Sequence, residues 1–259
     1  MRPFFLRSPL RVAASVSAFV CAVLVTSARP SSAQGIIFDT ITNQTGFNIP
    51  TATRTFIGDP VLAVTPTGGP VGITGFDLRM ISTSAVTYNQ IRVNVYFWNT
   101  INTTGTDAFS NLAGVVTGTV TSTAFTTQAN VVYTLDGFRL SAPLFVNSPN
   151  FGVTVNYQGD TGSGFQNTDA LTEAVVGNTA TPFAVGSVAF TSPNYGYYRN
   201  ASGRTDGNFS STDGRNIGTN SAMAIRIFAA PEPGSIGLIA GAALPLLGAV
   251  VTRRRAVRK

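Results

Sequence analysis

The stretch QIRVNVYFW, residues 90–98, decides the fold class of this chain. Every second residue in it is apolar, and these residues would share one face of an extended strand: Ile91, Val93, Val95 and Phe97. The residues between them would lie on the opposite face: Arg92, Asn94 and Tyr96. An alternation with a period of two residues is typical of a β-strand with one buried face and one wet face.

Three further stretches alternate in the same way: GFDLRMIS at 75–82, NFGVTVNYQG at 150–159 and AMAIRIFA at 222–229. Their predicted inward residues are Phe76, Leu78, Met80, Phe151, Val153, Val155, Tyr157, Met223, Ile225 and Ile227. Weaker strands are predicted at 36–41, 115–120, 131–135, 138–140, 144–146 and 185–190. Because one-sided alternation suits sheets that face water on one side, it favours antiparallel sheets over a doubly wound parallel sheet.

We therefore predict an all-β body, an antiparallel jelly-roll-like β-sandwich, with an open barrel as the alternative. The body occupies residues 34–229 as one domain, between a leader at 1–33 and a tail at 230–259. The segment TDALTEAVVG is an exception, because Thr168 or Asp169 could cap a short helix that ends at Gly177.

The residue types that the chain lacks exclude most catalytic chemistry. It has no histidine, its only cysteine is Cys21 in the leader, and the body has no lysine. These absences exclude serine or cysteine catalysis with a histidine base, zinc held by histidine or thiolate, and Schiff bases. A carboxylate pair drawn from Glu173 and nine aspartates remains, as does a cation site built from oxygens. We expect no cofactor and no enzymatic activity, with a carboxylate-dependent hydrolase as the lesser alternative.

The leader is typical of a secretory signal peptide. Arg2, Arg7 and Arg11 precede an uncharged run at residues 12–25, and small residues follow up to a predicted cleavage site after Ala33. A membrane anchor is the alternative, although the run is shorter than the roughly 20 residues that span a bilayer.

The tail combines three features in a fixed order. Pro231, Glu232 and Pro233 are followed by an uncharged stretch at 234–252, in which we predict a transmembrane helix over about 235–252. A basic end then follows: Arg253, Arg254, Arg255, Arg258 and Lys259. By the positive-inside rule this end stays in the cytoplasm, so the body lies outside the cytoplasmic membrane, in agreement with the leader.

The tail resembles the PEP-CTERM sorting signal of Gram-negative bacteria, and the resemblance covers about the last 29 residues. It implies that Pro231, Glu232 and Pro233 are recognised by an exosortase, a membrane cysteine protease or transpeptidase. It also implies delivery of the body to the cell envelope or extracellular matrix, often alongside exopolysaccharide. The alternative is an ordinary single-span tail with an incidental Pro-Glu-Pro.

Two groups in the body are candidate binding residues. Asp206 and Asp213 stand in two Thr-Asp-Gly triplets of a turn-rich stretch and are weak candidates for calcium, with plain Asx-turns as the alternative. Trp98, Tyr195 and Tyr197 are candidates for a surface on which sugar rings stack, with packing inside the sheet as the alternative.

These features predict a non-enzymatic exported protein of the surface or matrix, associated with exopolysaccharide or biofilm. A carbohydrate-binding module of the envelope is the alternative. The expected partners are an exosortase, the membrane before processing, and exopolysaccharide. Nucleic acid is not expected, because the net charge of +6 comes from the two ends, whereas the body carries 8 basic and 10 acidic residues.

Overall fold

The computed structural model of the chain describes residues 35–44, 46–50, 56–65, 68–102, 107–177, 183–188, 197–199, 207–210, 213–215 and 221–230. The chain divides into two units, Met1–Ala33 and Gln34–Lys259, and every described residue belongs to the second.

The described part of the second unit is built from β-strands. The longer strands are β1 (Gly35–Asp39), β2 (Phe56–Leu62), β3 (Val71–Ser82), β4 (Thr87–Ile101), β5 (Phe109–Thr126), β6 (Val131–Val146), β7 (Asn150–Asp160) and β15 (Ile225–Ala229). The shorter ones are β8 (Phe165–Asn167), β9 (Leu171–Glu173), β10 (Val175–Val176), β11 (Ser187–Val188), β12 (Tyr197–Arg199), β13 (Gly214–Arg215) and β14 (Ala222–Met223).

The strands form two main antiparallel sheets. Sheet I has the order β1-β15-β3-β6, with β9 also paired to β3. Sheet II has the order β13-β12-β2-β7-β4-β5, with β11 and β8 paired to β2 and β7. The longer strands pair in a nested order: β1 with β15, β2 with β7, β3 with β6, and β4 with β5. An all-β arrangement of antiparallel sheets is therefore confirmed, and it agrees with a β-sandwich.

The main core takes its side chains from both sheets. All the inward residues predicted from the four alternating stretches are buried in it, so the period-two assignments are confirmed. Phe76 and Phe97, one from each sheet, have ring centroids 6.3 Å apart. Because each sheet buries one apolar face against the other, the hydrophobic effect holds the two sheets together.

Two details of the predicted secondary structure are wrong. The predicted helix near Gly177 is absent, and that segment forms β9 and β10, which pair with β3 and β14. Cross-strand pairing and burial of Leu171 and Val175 override the local capping signal. The three short strands predicted between residues 131 and 146 are one strand, β6, whose register with β3 shifts twice.

The outer face of sheet I carries a chain of ion pairs that we call the ionic ladder: Asp39, Arg226, Asp77 and Arg139. The Arg226 guanidinium lies 3.0 Å from the Asp39 carboxylate and 3.1 Å from that of Asp77, which also pairs with Arg139 at 3.3 Å. The side chains of Asp39 and Asp77 are only 2% and 4% exposed, so this part of the predicted wet face is covered. Burial alone would raise the pKa of Asp39, but hydrogen bonds from Thr42, Ile41 and Arg226 outweigh it and lower that pKa.

Candidate functional site

The two sheets leave an open side where their edge strands, β5 and β6, lie next to each other. These strands are not paired with each other, and side chains fill the space between them: Leu144 of β6 lies against Gly114, and the Phe138 ring lies against Gly118. A cavity of about 270 Å³ lies here, lined by Met80, Ile91, Val120, Phe125, Tyr133, Thr134 and Leu135. Since pockets for drug-sized ligands start near 300 Å³, this cavity is small for a ligand site. Among the described residues, the unpaired edges of β5 and β6 form a larger surface feature than the cavity.

A group of three buried side chains, which we call the acid cluster, lies inside the sandwich: Asp59, Glu173 and Tyr157. Glu173 accepts a hydrogen bond from the Tyr157 hydroxyl at 2.5 Å and one from the backbone N–H of Arg79 at 2.9 Å. The backbone N–H of Met223 donates to Oδ2 of Asp59, whereas its Oδ1 is buried without a hydrogen bond. The two acids come from distant strands, β2 and β9, which the sandwich brings together.

Burial raises the pKa of both acids of the cluster, and Glu173 is protonated at neutral pH. Burial raises the pKa of Glu173 to about 8, although hydrogen bonds from Tyr157 and Arg79 offset part of the effect. Burial also raises the pKa of Asp59 well above its usual value, and the nearby Glu173 carboxylate adds to the rise. Perturbed acids in an open cleft would suggest general acid–base catalysis, but Asp59 and Glu173 are 0% and 1% exposed. In this conformation neither can touch a substrate.

The outer face of sheet II carries a hydrogen-bonded row of amide side chains, which we call the amide row: Asn94, Asn156, Gln158 and Asn167. Asn94 donates to Asn156 at 3.2 Å, and Asn156 donates to Asn167 at 3.3 Å. Gln158 also donates to Asn167, at 3.0 Å. The row is buried at Asn156 and exposed at Asn167, so its exposed end presents amide donors and acceptors to solvent.

An arginine and an aromatic ring flank the exposed end of the amide row. The Arg92 guanidinium carbon lies 3.8 Å from the centroid of the Phe165 ring, a cation–π contact. Phe165 belongs to β8, the same short strand that carries Asn167. An apolar ring beside amide groups is a chemically suitable combination for binding a sugar.

The other end of this outer face is covered by an aromatic group, the outer aromatic cluster: Phe56, Trp98, Phe109, Tyr198 and Phe209. The Trp98 indole N–H donates to the Thr154 hydroxyl at 3.2 Å, and the ring is only 6% exposed. Tyr197 is fully buried in the main core. The burial of both rings favours the packing alternative over sugar stacking, and the third candidate, Tyr195, lies outside the described residues.

The calcium candidates are only partly described. The Asp213 carboxylate accepts a hydrogen bond from the backbone N–H of Ser210 at 2.8 Å, and Ser210 accepts one from the Asp213 N–H. These two hydrogen bonds join Ser210 to Asp213 and engage one oxygen of the Asp213 carboxylate. Asp206 lies outside the described residues, and within the described ranges no group of three or more acidic, histidine or cysteine side chains could hold a metal ion.

The predicted signal-peptide cleavage site and the predicted C-terminal sorting signal also lie outside the described residues. They comprise the cleavage site at Ala33, the motif Pro231, Glu232 and Pro233, and the basic residues from Arg253 to Lys259. In the part of the chain that the structure covers, no helix is long and apolar enough to cross a membrane.

The sequence patterns did not point to the acid cluster or to the amide row as units. Asp59 carried one weak signal, since it is a lone acid within the apolar stretch FIGDPVL of β2. The amide row carried another, since Asn94 and Asn156 both stand at the outward positions of alternating strands. Neither signal shows that the residues meet, because their contacts depend on how the strands pair.

No family model, no curated protein and no solved structure matches this chain. The described residues form an all-β protein of antiparallel sheets with a buried acid cluster and an open side between β5 and β6.

Proposed function

We propose that this chain is a non-enzymatic exported protein of the cell surface or extracellular matrix, sorted by an exosortase-type system and associated with exopolysaccharide or biofilm. The observation that carries the proposal is the tail, in which Pro231, Glu232 and Pro233 precede an uncharged stretch and a basic end. In this proposal the precursor is held in the cytoplasmic membrane with its C-terminus inside, and the processed body resides in the envelope or outside the cell.

The described side chains support a structural role for the body. The carboxylates that a hydrolase would need include Asp59 and Glu173, which lie close enough for Glu173 to raise the pKa of Asp59 but are buried in the core. A glycosidase needs its two carboxyl groups on either side of a substrate, with room for water or a sugar between them. The acid cluster offers no such space.

We extend the proposal to a jelly-roll topology for the body. A jelly roll is a long hairpin wrapped into two sheets, so that its first strand pairs with its eighth, its second with its seventh, and so on inward. The eight longer strands pair in this nested order, from β1 with β15 to β4 with β5. Sheets of order β1-β15-β3-β6 and β2-β7-β4-β5 are what such wrapping produces, which supports the jelly roll over the open barrel.

The sorting proposal is tested by replacing Pro231, Glu232 and Pro233 together with alanine in the native host. We expect the variant to keep its tail and to accumulate in the cytoplasmic membrane, as measured by the mass of the protein and its distribution between cell fractions. A matched control replaces the neighbouring Gly234 and Ser235 with alanine and should be processed normally. Unchanged processing and location of the triple variant would overturn the sorting proposal.

A second candidate function is carbohydrate binding at the exposed end of the amide row. The observation that favours it is the combination of Gln158 and Asn167 with the Phe165 ring and the Arg92 guanidinium on one face. Amide groups pair with sugar hydroxyls as both donors and acceptors, and the ring covers the apolar face of a sugar. In this candidate function the sugar binds at the exposed end of the amide row and not at the buried rings of Trp98 and Tyr197.

Binding of the purified chain to isolated exopolysaccharide, with and without calcium, tests this candidate. Asn167→Ala and Phe165→Ala are expected to weaken binding. Because Asn167 accepts a hydrogen bond from buried Asn156 and Phe165 is half-buried, binding is compared at a temperature at which both variants are fully folded. Asn150→Ala, an exposed change at the far end of the same sheet, is the matched control. Equal binding by all of these proteins, or no binding by the wild type, would count against the candidate.

A further inference from the structure

The longest strand of the described fold, β5, has a free edge. Its 18 residues pair with β4 on one side, and no described strand pairs with the other side. A free edge presents a row of backbone N–H and C=O groups to whatever extended chain comes next to it. Because half of the backbone groups in an edge strand point away from its neighbour, β5 offers a long template for pairing.

The other described sheet edges carry features that oppose pairing. The strands β1 and β13 are five and two residues long. The edge strand β6 carries Asp136, Arg139 and Pro143, and its register with β3 shifts at two places. Short length, charge, proline and bulges are the means by which sheet proteins prevent their edges from joining.

The free edge of β5 has none of these protections along its central part. Its sequence, FSNLAGVVTGTVTSTAFT, contains no charged residue and no proline. Its register with β4 is regular from residue 114 to residue 121, between two bulges. Leu112 and Val115 are 48% and 43% exposed, so apolar side chains are exposed beside the free backbone groups.

We propose that a second copy of this chain pairs with β5, antiparallel and across a two-fold axis near residues 116–118. A two-fold axis places each residue opposite a residue of the same segment, so any charge near the axis would face a like charge. An uncharged segment rich in threonine and valine avoids that repulsion and favours strand pairing. The pairing joins the two copies of sheet II into one continuous sheet and covers Val115.

This pairing explains the difference between the two neighbouring edges. Both β5 and β6 border the same open side, yet only β6 carries charges and a proline. If the open side had to be protected as a whole, both strands would be expected to carry such residues. The inference concerns the body alone and does not rest on the sorting proposal, so either can fail without the other.

The test compares the wild-type chain with Thr117→Glu/Thr119→Glu, purified at full length in detergent with fewer than one chain per micelle. Both threonines are exposed on β5, and the double change would place four carboxylates close together at the two-fold axis. Analytical ultracentrifugation should find a concentration-dependent wild-type dimer and at least about tenfold weaker association of the variant, the change that 1.4 kcal/mol produces. The matched control, Ser141→Glu/Ala142→Glu on β6, should associate like the wild type.

Hydrogen exchange on the wild type alone gives a second measurement, which does not depend on how the variant folds. Amides within residues 114–120 should lose protection when the protein is diluted, whereas those of β7 in the middle of sheet II should not change. A wild type that stays monomeric at about 100 μM would overturn the proposal, as would dilution-independent exchange of residues 114–120. Open-ended filaments would also overturn it, since a two-fold pairing closes with two copies.

Discussion

The substitution Glu173→Gln should make the protein more stable at alkaline pH and leave it nearly unchanged at acidic pH. Glutamine has the shape of the protonated acid. Its oxygen can accept the hydrogen bond from the Arg79 N–H, and its amide faces the Tyr157 hydroxyl, which donates to the acid in the wild type and would accept from the amide in the variant. The substitution therefore preserves the packing of the acid cluster and removes only the ability of this residue to ionise.

The expected size of the effect follows from the pKa of Glu173, which rises from 4.5 to about 8 on folding. When a folded-state pKa lies above the unfolded value, the unfolded chain loses its proton first, so stability falls as pH rises between the two values. Each pH unit in that interval changes the free energy of unfolding by about 1.4 kcal/mol. From pH 5 to pH 8 the wild type should lose about 4 kcal/mol through Glu173, and Asp59 adds a loss of the same sign.

Urea unfolding at several pH values measures this, and the single tryptophan, Trp98, reports it by fluorescence because it is buried in the outer aromatic cluster. Glu173→Gln should match the wild type at pH 5 and exceed it by about 4 kcal/mol at pH 8. The control Asp169→Asn removes an exposed carboxyl from the preceding loop and should follow the wild type throughout. Parallel curves for the wild type and Glu173→Gln would contradict this prediction, because they would mean that Glu173 is ionised in the folded core.

Two further predictions concern the sheets. Gly75→Ala should reduce the free energy of unfolding, measured in urea, by about 1–3 kcal/mol, because the added Cβ would overlap a backbone carbonyl oxygen of β6. The control Gly35→Ala has open space around the new Cβ and should reduce it much less. Arg226→Met should reduce the free energy of unfolding by about 3–5 kcal/mol in the same assay, because it leaves Asp39 and Asp77 buried with fewer partners. A reduction below about 1 kcal/mol would mean that the ionic ladder is as weak as a surface ion pair.

The sequence predicted the parts of the fold that depend on one strand at a time. In a stretch such as residues 90–98, each residue's neighbours decide which face it takes, so the alternation identified Ile91 and Phe97 as core residues without knowledge of the partner strands. It did not identify the helix-like segment before Gly177 as strands. There the decisive interactions are the pairing of β9 with β3 and of β10 with β14, and those partners are far away in the chain.

The candidate sites were harder to predict, because each of them is assembled by pairing between distant strands. Glu173 meets Tyr157 and Asp59 only after β9, β7 and β2 are placed in the sandwich, and nothing local to Glu173 marks it as buried. Trp98 is the opposite case, since its large ring suggested an exposed binding surface, yet it is buried in the outer aromatic cluster and stacks against Tyr96 and Phe109. A surface aromatic and a covered one have the same local sequence signal.

The acid cluster and the ionic ladder make the stability of the fold depend on pH in opposite directions. The pKa of Asp39 is lowered on folding, so its contribution is present above its ordinary value near 3.8 and is lost as pH falls below it. The pKa of Glu173 is raised, so its contribution is present below 4.5 and is lost as pH rises towards 8. The two effects have opposite signs, so the combined contribution of these groups to stability is greatest at acidic pH and falls towards neutrality. Glu173→Gln should move the pH of greatest stability to a higher value. Arg226→Met should instead reduce the free energy of unfolding at every pH above the pKa of Asp39.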